Sequence, residues 1–368
     1  LCHRKCNSGS ANYAVSTLSV LCMNKLILRV SLWTFLAAFL GGALVYGFIA
    51  QHMDNTVNLG ASQQERVVWA IAKGSNLSQV NRQLSVEGII SNPKVMSAYA
   101  TLFSQTEIQA GDYWITSEDT ARSLLAKFNS GDVVRRSITF PEGWSFKQWL
   151  THLSSIDQFQ SSDSVELGYL LKMAGIEVAN PEGWLFPDTY RYTSADSVVD
   201  ILKQAHRKMQ ETLSLEWKTR QPNLPYDTAY EALIMASIIE KETGLVSERA
   251  QIAGVFVRRL KTGMRLQTDP TVIYGMGDEY RGNIRRSDLK AFSPYNTYRI
   301  NGLPPTPIAM PSADAIRAAL HPEEGSSLYF VARGDGGHYF SNTLEEHNKA
   351  VQKYQIEYRK KEYQSSPQ

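Results

Sequence analysis

The chain has 368 residues, with 38 Lys+Arg against 36 Asp+Glu and three cysteines, which is length for about two domains once a membrane segment is set aside. Four of the basic and none of the acidic residues fall in the first 50 positions, leaving 34 against 36 and a net charge of −2 beyond them. That balance gives no ground for a nucleic-acid or polyanionic partner. Cys2, Cys6 and Cys22 all precede the membrane segment, so the remainder is expected to fold around an ordinary core without disulfides.

Val30 to Ala50 is a 21-residue uncharged run, long enough to cross a bilayer as a helix. Lys25 and Arg29 precede it and Gln51, His52 and Asp54 follow, so the positive-inside rule places the N-terminus in the cytoplasm and the rest outside. The run is longer than a typical signal-peptide core and lacks a small-x-small cleavage site after it. Met23 stands just before this segment, so residues 1–22 are read as an upstream extension or cytoplasmic tail, 23–50 as flank and membrane helix, and 51–65 as a linker.

Residues 66–155 read as a small α/β subdomain. Arg66 to Ala72 is an expected strand, Leu77 to Leu84 a helix, Asn92 to Phe103 a second helix and Ile108 to Ile115 a strand. Ser117 or Glu118 is expected to open a helix that Gly131 stops, and Arg136 to Phe140 is another strand. Gly74 and Gly143 both follow strands, with an apolar residue three positions on (Leu77, Phe146) and a glutamine five positions on (Gln79, Gln148), an approximate internal repeat. This arrangement resembles the LysM carbohydrate-binding module.

Residues 156–368 are expected to form a mixed α+β domain. Ser164 to Ala174 is helical, Pro181 to Tyr190 is an aromatic-rich irregular loop, and Asp196 to Leu213 is an amphipathic helix. The organising element runs from Tyr226 to Gly244. Thr228 and Glu231 form a capping box at its start, and Ala232 to Ile239 is apolar nearly all round, the pattern of a core helix. Glu240 emerges where that run ends, and Glu242 points roughly 200° away from it. A carboxyl desolvated by such neighbours has a raised pKa and can serve as a general acid; equally, Glu240 could be a surface residue paired with Lys241 or Arg249.

Ser247 is expected to cap the next helix, through Ile252, Val255, Phe256 and Leu260, before a proline-broken stretch from Leu266 to Gly275. With Ser293 to Tyr298 and Gly302 to Ile308, that stretch gives three rigid polar loops, read as the walls of a groove or as turns between elements. Ala313 to Leu320 is a helix, Ser327 to Ala332 and His338 to Thr343 form a hairpin, and Thr343 caps a last helix reaching Tyr363.

No cysteine lies beyond the membrane run, Gly-x-Ser-x-Gly is absent, and no His-Glu-x-x-His occurs, so serine, cysteine and zinc hydrolase readings have little support. Glu346-His347 reads as a helix surface pair rather than a metal fragment. A glycosidase with two carboxylates could draw on Glu240 with Asp269, Asp188 or Glu182.

Glu240-Lys-Glu-Thr, Gln267-Thr-Asp-Pro with Tyr274, Ser293-Pro-Tyr-Asn-Thr-Tyr, Gly302-Leu-Pro-Pro, and His338-Tyr-Phe-Ser with Glu346-His-Asn together resemble the endolytic murein transglycosylase (MltG, YceG-like) family, from the membrane run to about Tyr354. The resemblance implies a bacterial inner-membrane protein with one transmembrane helix, a LysM-like subdomain and a periplasmic lytic transglycosylase domain, without cofactor or metal. Its substrate would be nascent peptidoglycan glycan strands, and peptidoglycan synthases would be potential partners.

Carried over, Glu240 is the single catalytic acid, and Gln267, Thr268, Asp269, Tyr274, Ser293, Tyr295, Asn296, Thr297, Tyr298 and His338 are substrate-binding positions. The chain departs from the family at Thr306 and Ser312, where glycine is common, which bears on loop backbone preference. A hydrolytic muramidase using Asp269 or another carboxylate, and a non-catalytic glycan-binding protein, use the same residues differently.

Overall fold

A 45-residue helix, α1 (Ser10–Asp54), contains the membrane-length segment. Its part from Arg29 to Asp54, with mean hydropathy 1.9, is long and apolar enough to cross a bilayer. Leu32, Trp33, Phe35, Phe39 and Leu44 are all exposed, the reverse of a core helix. In the computed structural model, residues 10–60, 65–164 and 166–357 are described. Cys2, Cys6, linker residues 61–64 and the last helix beyond residue 357 lie outside them.

The chain divides into two units, Leu1–Val134 with Thr193–Ala195, and Arg135–Tyr192 with Asp196–Gln368. In the first, β1 (Arg66–Ile71), α2 (Leu77–Val86), α3 (Pro93–Leu102), β2 (Gly111–Thr116) and α4 (Ala121–Ser130) follow in order. The two strands pair antiparallel with Trp69 opposite Tyr113. Alternation along them turns Trp69, Ile71, Tyr113 and Ile115 onto the core made with Leu84, Met96, Leu124 and Phe128. The foot of α1 is fixed there too, by buried Met53 and by a 2.6 Å ion pair of Asp54 with Arg122. Helix α4 is capped by Thr120 rather than by Ser117 or Glu118. Asp119 is engaged instead with the Thr116 amide at 2.8 Å and with Lys127 at 2.6 Å.

The second unit begins with β3 (Arg136–Thr139), α5 (Phe146–Ser154), a 3-10 segment, α6 (Leu167–Met173), β4 (Thr189–Tyr192) and α7 (Val198–Lys218). Strand β4 takes up only the last two residues, Thr189 and Tyr190, of the segment expected as an irregular loop, and pairs antiparallel with β3. The expected boundary at residue 155 falls inside this unit, because Phe146, Trp149 and Leu153 of α5 share one core with Ile201, Leu202 and Ala205 of α7.

Each unit thus carries the order strand, helix, helix, strand, helix. The repeat around Gly74 and Gly143 has a local cause. Both glycines take a left-handed turn, φ +85° and +73°, which a side chain would resist. Two residues on, Asn76 and Ser145 are the N-caps of α2 and α5, and Gln79 and Gln148 close reciprocal capping boxes.

The rest of the second unit is α8 (Ala229–Glu242), α9 (Val246–Lys261), α10 (Asp269–Met276), α11 (Arg286–Lys290), α12 (Ala313–Leu320), the hairpin β5 (Tyr329–Ala332) with β6 (His338–Ser341), and α13 (Leu344–Val351). Thr228 and Glu231 form the expected capping box of α8, and Ala232 to Ile239 are all buried. They pack against Met209 and Leu213 of α7, Ile252 and Phe256 of α9, and Ile316 and Leu320 of α12. Two expectations change. Helix α9 starts at Val246 without a side-chain cap rather than at Ser247. Pro270 opens α10 instead of breaking structure, because its missing N–H costs nothing in a first turn.

Gly183 is held at φ +81°, and a Cβ there would lie 2.5 Å from the Pro307 ring. Gly263, at φ +71°, has open space around its Cβ position. Gly183→Ala is therefore expected to destabilise by ~2–4 kcal/mol and Gly263→Ala by only ~1 kcal/mol, read from denaturant midpoints of the two variants.

Candidate active site

An apolar helix delivers its last residues to a place where water is scarce. The side chain of Glu240, at the end of α8, is only 5% exposed. Thr243 follows as C-cap, and its hydroxyl accepts the Leu245 amide at 3.0 Å, which reverses the chain into α9. That reversal returns Arg249 to the carboxyl: Nη2 donates to Glu240 Oε1 at 2.9 Å. From the other side comes the start of α12. The Ser312 amide donates to Glu240 Oε2 at 2.9 Å and the Ser312 hydroxyl donates to the same oxygen. That hydroxyl accepts in turn from Arg249 Nη1 at 2.8 Å and from the Ala315 amide at 3.2 Å, so its one donor and two acceptor positions are all in use.

Burial pushes the Glu240 pKa up. Ser312 and the Arg249 charge pull it down, the Glu142 charge pushes it up again, and the net direction is upward. Glu142 sits on the Pro141-Glu-Gly-Trp turn with its Oε2 3.5 Å from Arg249 Nη2. The same turn brings backbone against the acid: the Gly143 carbonyl accepts from Lys241 Nζ at 3.2 Å.

The tetrapeptide Pro-Glu-Gly-Trp occurs again at 181–184, and its glutamate is buried. Glu182 is 4% exposed and accepts from the Phe146 amide at 2.9 Å and from the Tyr274 hydroxyl at 3.1 Å. Burial pushes its pKa up to about 7, against those two hydrogen bonds and the charge of Lys241. On another face of α8's end, Glu242 accepts from the Thr268 hydroxyl, and burial pushes it up to about 7 as well.

The positions expected to bind substrate divide into two groups. Thr268, Asn296, Thr297 and His338 are buried and use their polar atoms internally. Asn296 Nδ2 donates to the Ala291 carbonyl at 2.7 Å, Thr297 Oγ1 accepts the Thr268 amide at 3.0 Å, and His338 Nδ1 lies 2.8 Å from Glu248. These residues shape the loops. Ser293 accepts the Tyr295 amide at 3.2 Å, while the Tyr295 ring meets Tyr274 edge-on at 5.0 Å and its hydroxyl lies 2.9 Å from that of Thr306. Gln267 and Asp269 are exposed, and the Tyr298 hydroxyl donates to Asp269 at 2.7 Å. Gln267 is held at φ +50°, a conformation that costs a non-glycine residue energy and is common at functional sites.

Sequence reasoning did not place Ser312 and Glu142 around Glu240; it paired Arg249 with Glu240, and the structure keeps that pair but buries it. Arg249 entered only as a surface partner and Ser312 only as a loop departure. The repeated Pro-Glu-Gly-Trp was the available signal for the two glutamates.

Glu240 is thus a buried carboxyl clamped between a guanidinium and the N-terminus of a helix in an α+β unit. Residues 69–353 match the model of the YceG-like family, and the chain belongs to that family. It is 32% identical over 342 residues to the endolytic murein transglycosylase of Bacillus subtilis (strain 168), covering 86% of this chain and 91% of the relative. It is 28% identical over 359 residues to the Streptococcus pneumoniae (strain R6) protein of the same name, covering 88% of this chain and 64% of that longer one. The crystal structure of a protein described as YceG-like from Listeria monocytogenes aligns over 78% of this chain and 99% of its own, at 31% identity and a TM-score of 0.48.

Glu182 has a pH consequence. Its pKa rises from 4.5 to about 7 on folding, so the folded state holds a proton that the unfolded state has lost between those values. The stability from this group is complete below the unfolded pKa and disappears as pH rises through 7, a loss of up to ~3 kcal/mol. Melting curves should show the parent losing stability between pH 5 and 8, and Glu182→Gln should flatten that decline.

Proposed function

We propose that this protein is a membrane-anchored lytic transglycosylase that cleaves the β-1,4 bond between N-acetylmuramic acid and N-acetylglucosamine within peptidoglycan glycan strands, with Glu240 as acid and then base. The observation that carries this reading is the burial of Glu240 at the end of α8 with its carboxylate partners already in place. In the first step Glu240 gives its proton to the glycosidic oxygen, the bond from that oxygen to the muramyl C1 breaks, and the N-acetylglucosamine 4-hydroxyl leaves. Arg249 and Ser312 stabilise the carboxylate left behind. In the second step that carboxylate removes the proton of the muramyl 6-hydroxyl as O6 closes on C1. The product carries a 1,6-anhydro ring, Glu240 regains its proton, and no water is consumed, so one carboxyl serves both steps.

Gln267, Asp269, Tyr274, Ser293, Tyr295 and Tyr298 would line the glycan path. Thr268, Asn296, Thr297 and His338 would hold the loops that carry them. The apolar part of α1 would anchor the chain in the bacterial plasma membrane with its N-terminus cytoplasmic and the catalytic unit outside, where nascent strands and their synthases are found. Cutting within strands there would set their length. The first unit, in the order strand, helix, helix, strand, supports a LysM-like glycan-holding role.

The test is mass spectrometry of products from purified peptidoglycan incubated with the full chain in detergent. Anhydro-muropeptides from the parent, and at least a thousandfold less from Glu240→Gln, are the expected result. Reducing-end products would identify a hydrolase, and glycan binding without cleavage a binding protein; either would overturn the reading.

A further inference from the structure

The clamp around Glu240 poses a problem for its own chemistry. To act as an acid Glu240 must be neutral, yet Arg249 is 4% exposed, and a buried guanidinium left without a counter-charge is costly. Among the described residues its Nε has no protein hydrogen-bond partner and its Nη1 is bonded to the neutral Ser312 hydroxyl, so charge compensation falls to the carboxylates at Nη2. Two are present on that one nitrogen: Glu240 at 2.9 Å and Glu142 at 3.5 Å.

We infer that Glu142 is a positioning residue of the active site, which takes over the Arg249 guanidinium while Glu240 carries its proton and yields it back when Glu240 becomes a carboxylate. The inference rests on the transglycosylase reading for its purpose, though not for its geometry. Glu142 suits the role because it is 54% exposed, so its carboxylate stays hydrated while it approaches or leaves the arginine. Its backbone is fixed: the Gly143 amide donates to the Met310 carbonyl at 2.9 Å, and the Met310 amide to the Trp144 carbonyl at 2.8 Å. The turn is thereby stitched to the strand of chain that leads into Ser312, so both partners of Arg249 keep register with Glu240. Other charges near the acid are Lys241, tied to the Gly143 carbonyl, and Glu182, tied to Tyr274; Glu242 lies on another face of the helix end, with Thr268.

The sign of the effect is defined. Removing the Glu142 charge both weakens the field that favours a proton on Glu240 and makes Arg249 depend on Glu240 alone. Glu240 then loses its proton at lower pH, and the alkaline limb of the rate moves acidward. For Glu142→Gln in the full chain in detergent, anhydro-product formation one pH unit above the parent's limb should fall roughly three- to tenfold. KM should be unchanged, as should the melting midpoint at a pH where Glu240 is a carboxylate, and Glu142→Asp should recover part of the profile.

Glu240 can also be titrated without substrate, as the carboxyl infrared band that disappears in Glu240→Gln. Its midpoint should shift acidward in Glu142→Gln in the same way. A pH profile superimposable on the parent's, a loss of rate equal at all pH values, or an unmoved infrared midpoint overturns the inference. Absence of anhydro products from the parent would overturn the transglycosylase reading alone, since the infrared midpoint still decides the role of Glu142.

Discussion

A carboxyl group taken out of water must be solvated by something else, and the second unit is arranged to do this for Glu240. The apolar surface of α8 makes the burial unavoidable, since every residue from Ala232 to Ile239 is inside. Substitute solvation comes from two directions, the arginine of α9 and the capped N-terminus of α12, where a helix dipole also favours a negative charge. Neither can move far. Thr243 fixes the reversal into α9, and the packing of Ile316 and Leu320 against α8 fixes the approach of α12. The acid is therefore held by groups that stabilise its carboxylate, while burial favours its protonated form. In the proposed mechanism, a group that both gives and takes a proton benefits from that opposition.

Around this centre, polar side chains organise loops. Arg259 is an example: Nε donates to the Leu328 carbonyl at 2.7 Å and Nη1 to the Leu266 carbonyl at 2.5 Å, while the guanidinium lies over the Tyr329 ring. His347 stacks on that same ring, and Glu346 closes the cap of α13. One buried arginine thus ties the β5–β6 hairpin to the loop whose next residues are Gln267 and Thr268. A hairpin that does not touch Glu240 in these contacts thereby fixes the backbone of the loop that carries Gln267 and Thr268. Buried Asn296 and Thr297 act alike, replacing with side-chain bonds the ladder hydrogen bonds that an irregular loop lacks.

The two units build the same order of elements from the same local device, a left-handed glycine followed by a reciprocally capped helix. In the first unit this closes a small core around Trp69 and Phe128. In the second it delivers the turn carrying Glu142 and Gly143 to the end of α8, with Glu182 bonded to the first amide of α5.

Sequence alone determined the elements whose signals are local. The membrane-length helix, the capping boxes at Thr228 and Thr343, the all-round apolar α8 and the emergence of Glu240 at its end follow from side-chain chemistry within a few residues of each other. Motif order, through its resemblance to a known family, carried the functional expectation. What tertiary structure decided is every relation across long separations. Arg249 became a buried partner because Thr243 turns the chain back. Ser312 became a ligand of the acid because α12 packs on α8. Glu142 and Glu182 were drawn in by turns 98 and 58 residues before Glu240. Strand β4 was invisible because its partner lies 50 residues away, at a Thr139 and Thr189 pairing that no local periodicity encodes. Local chemistry can say that a carboxyl will be buried; only packing decides which groups take the place of water around it.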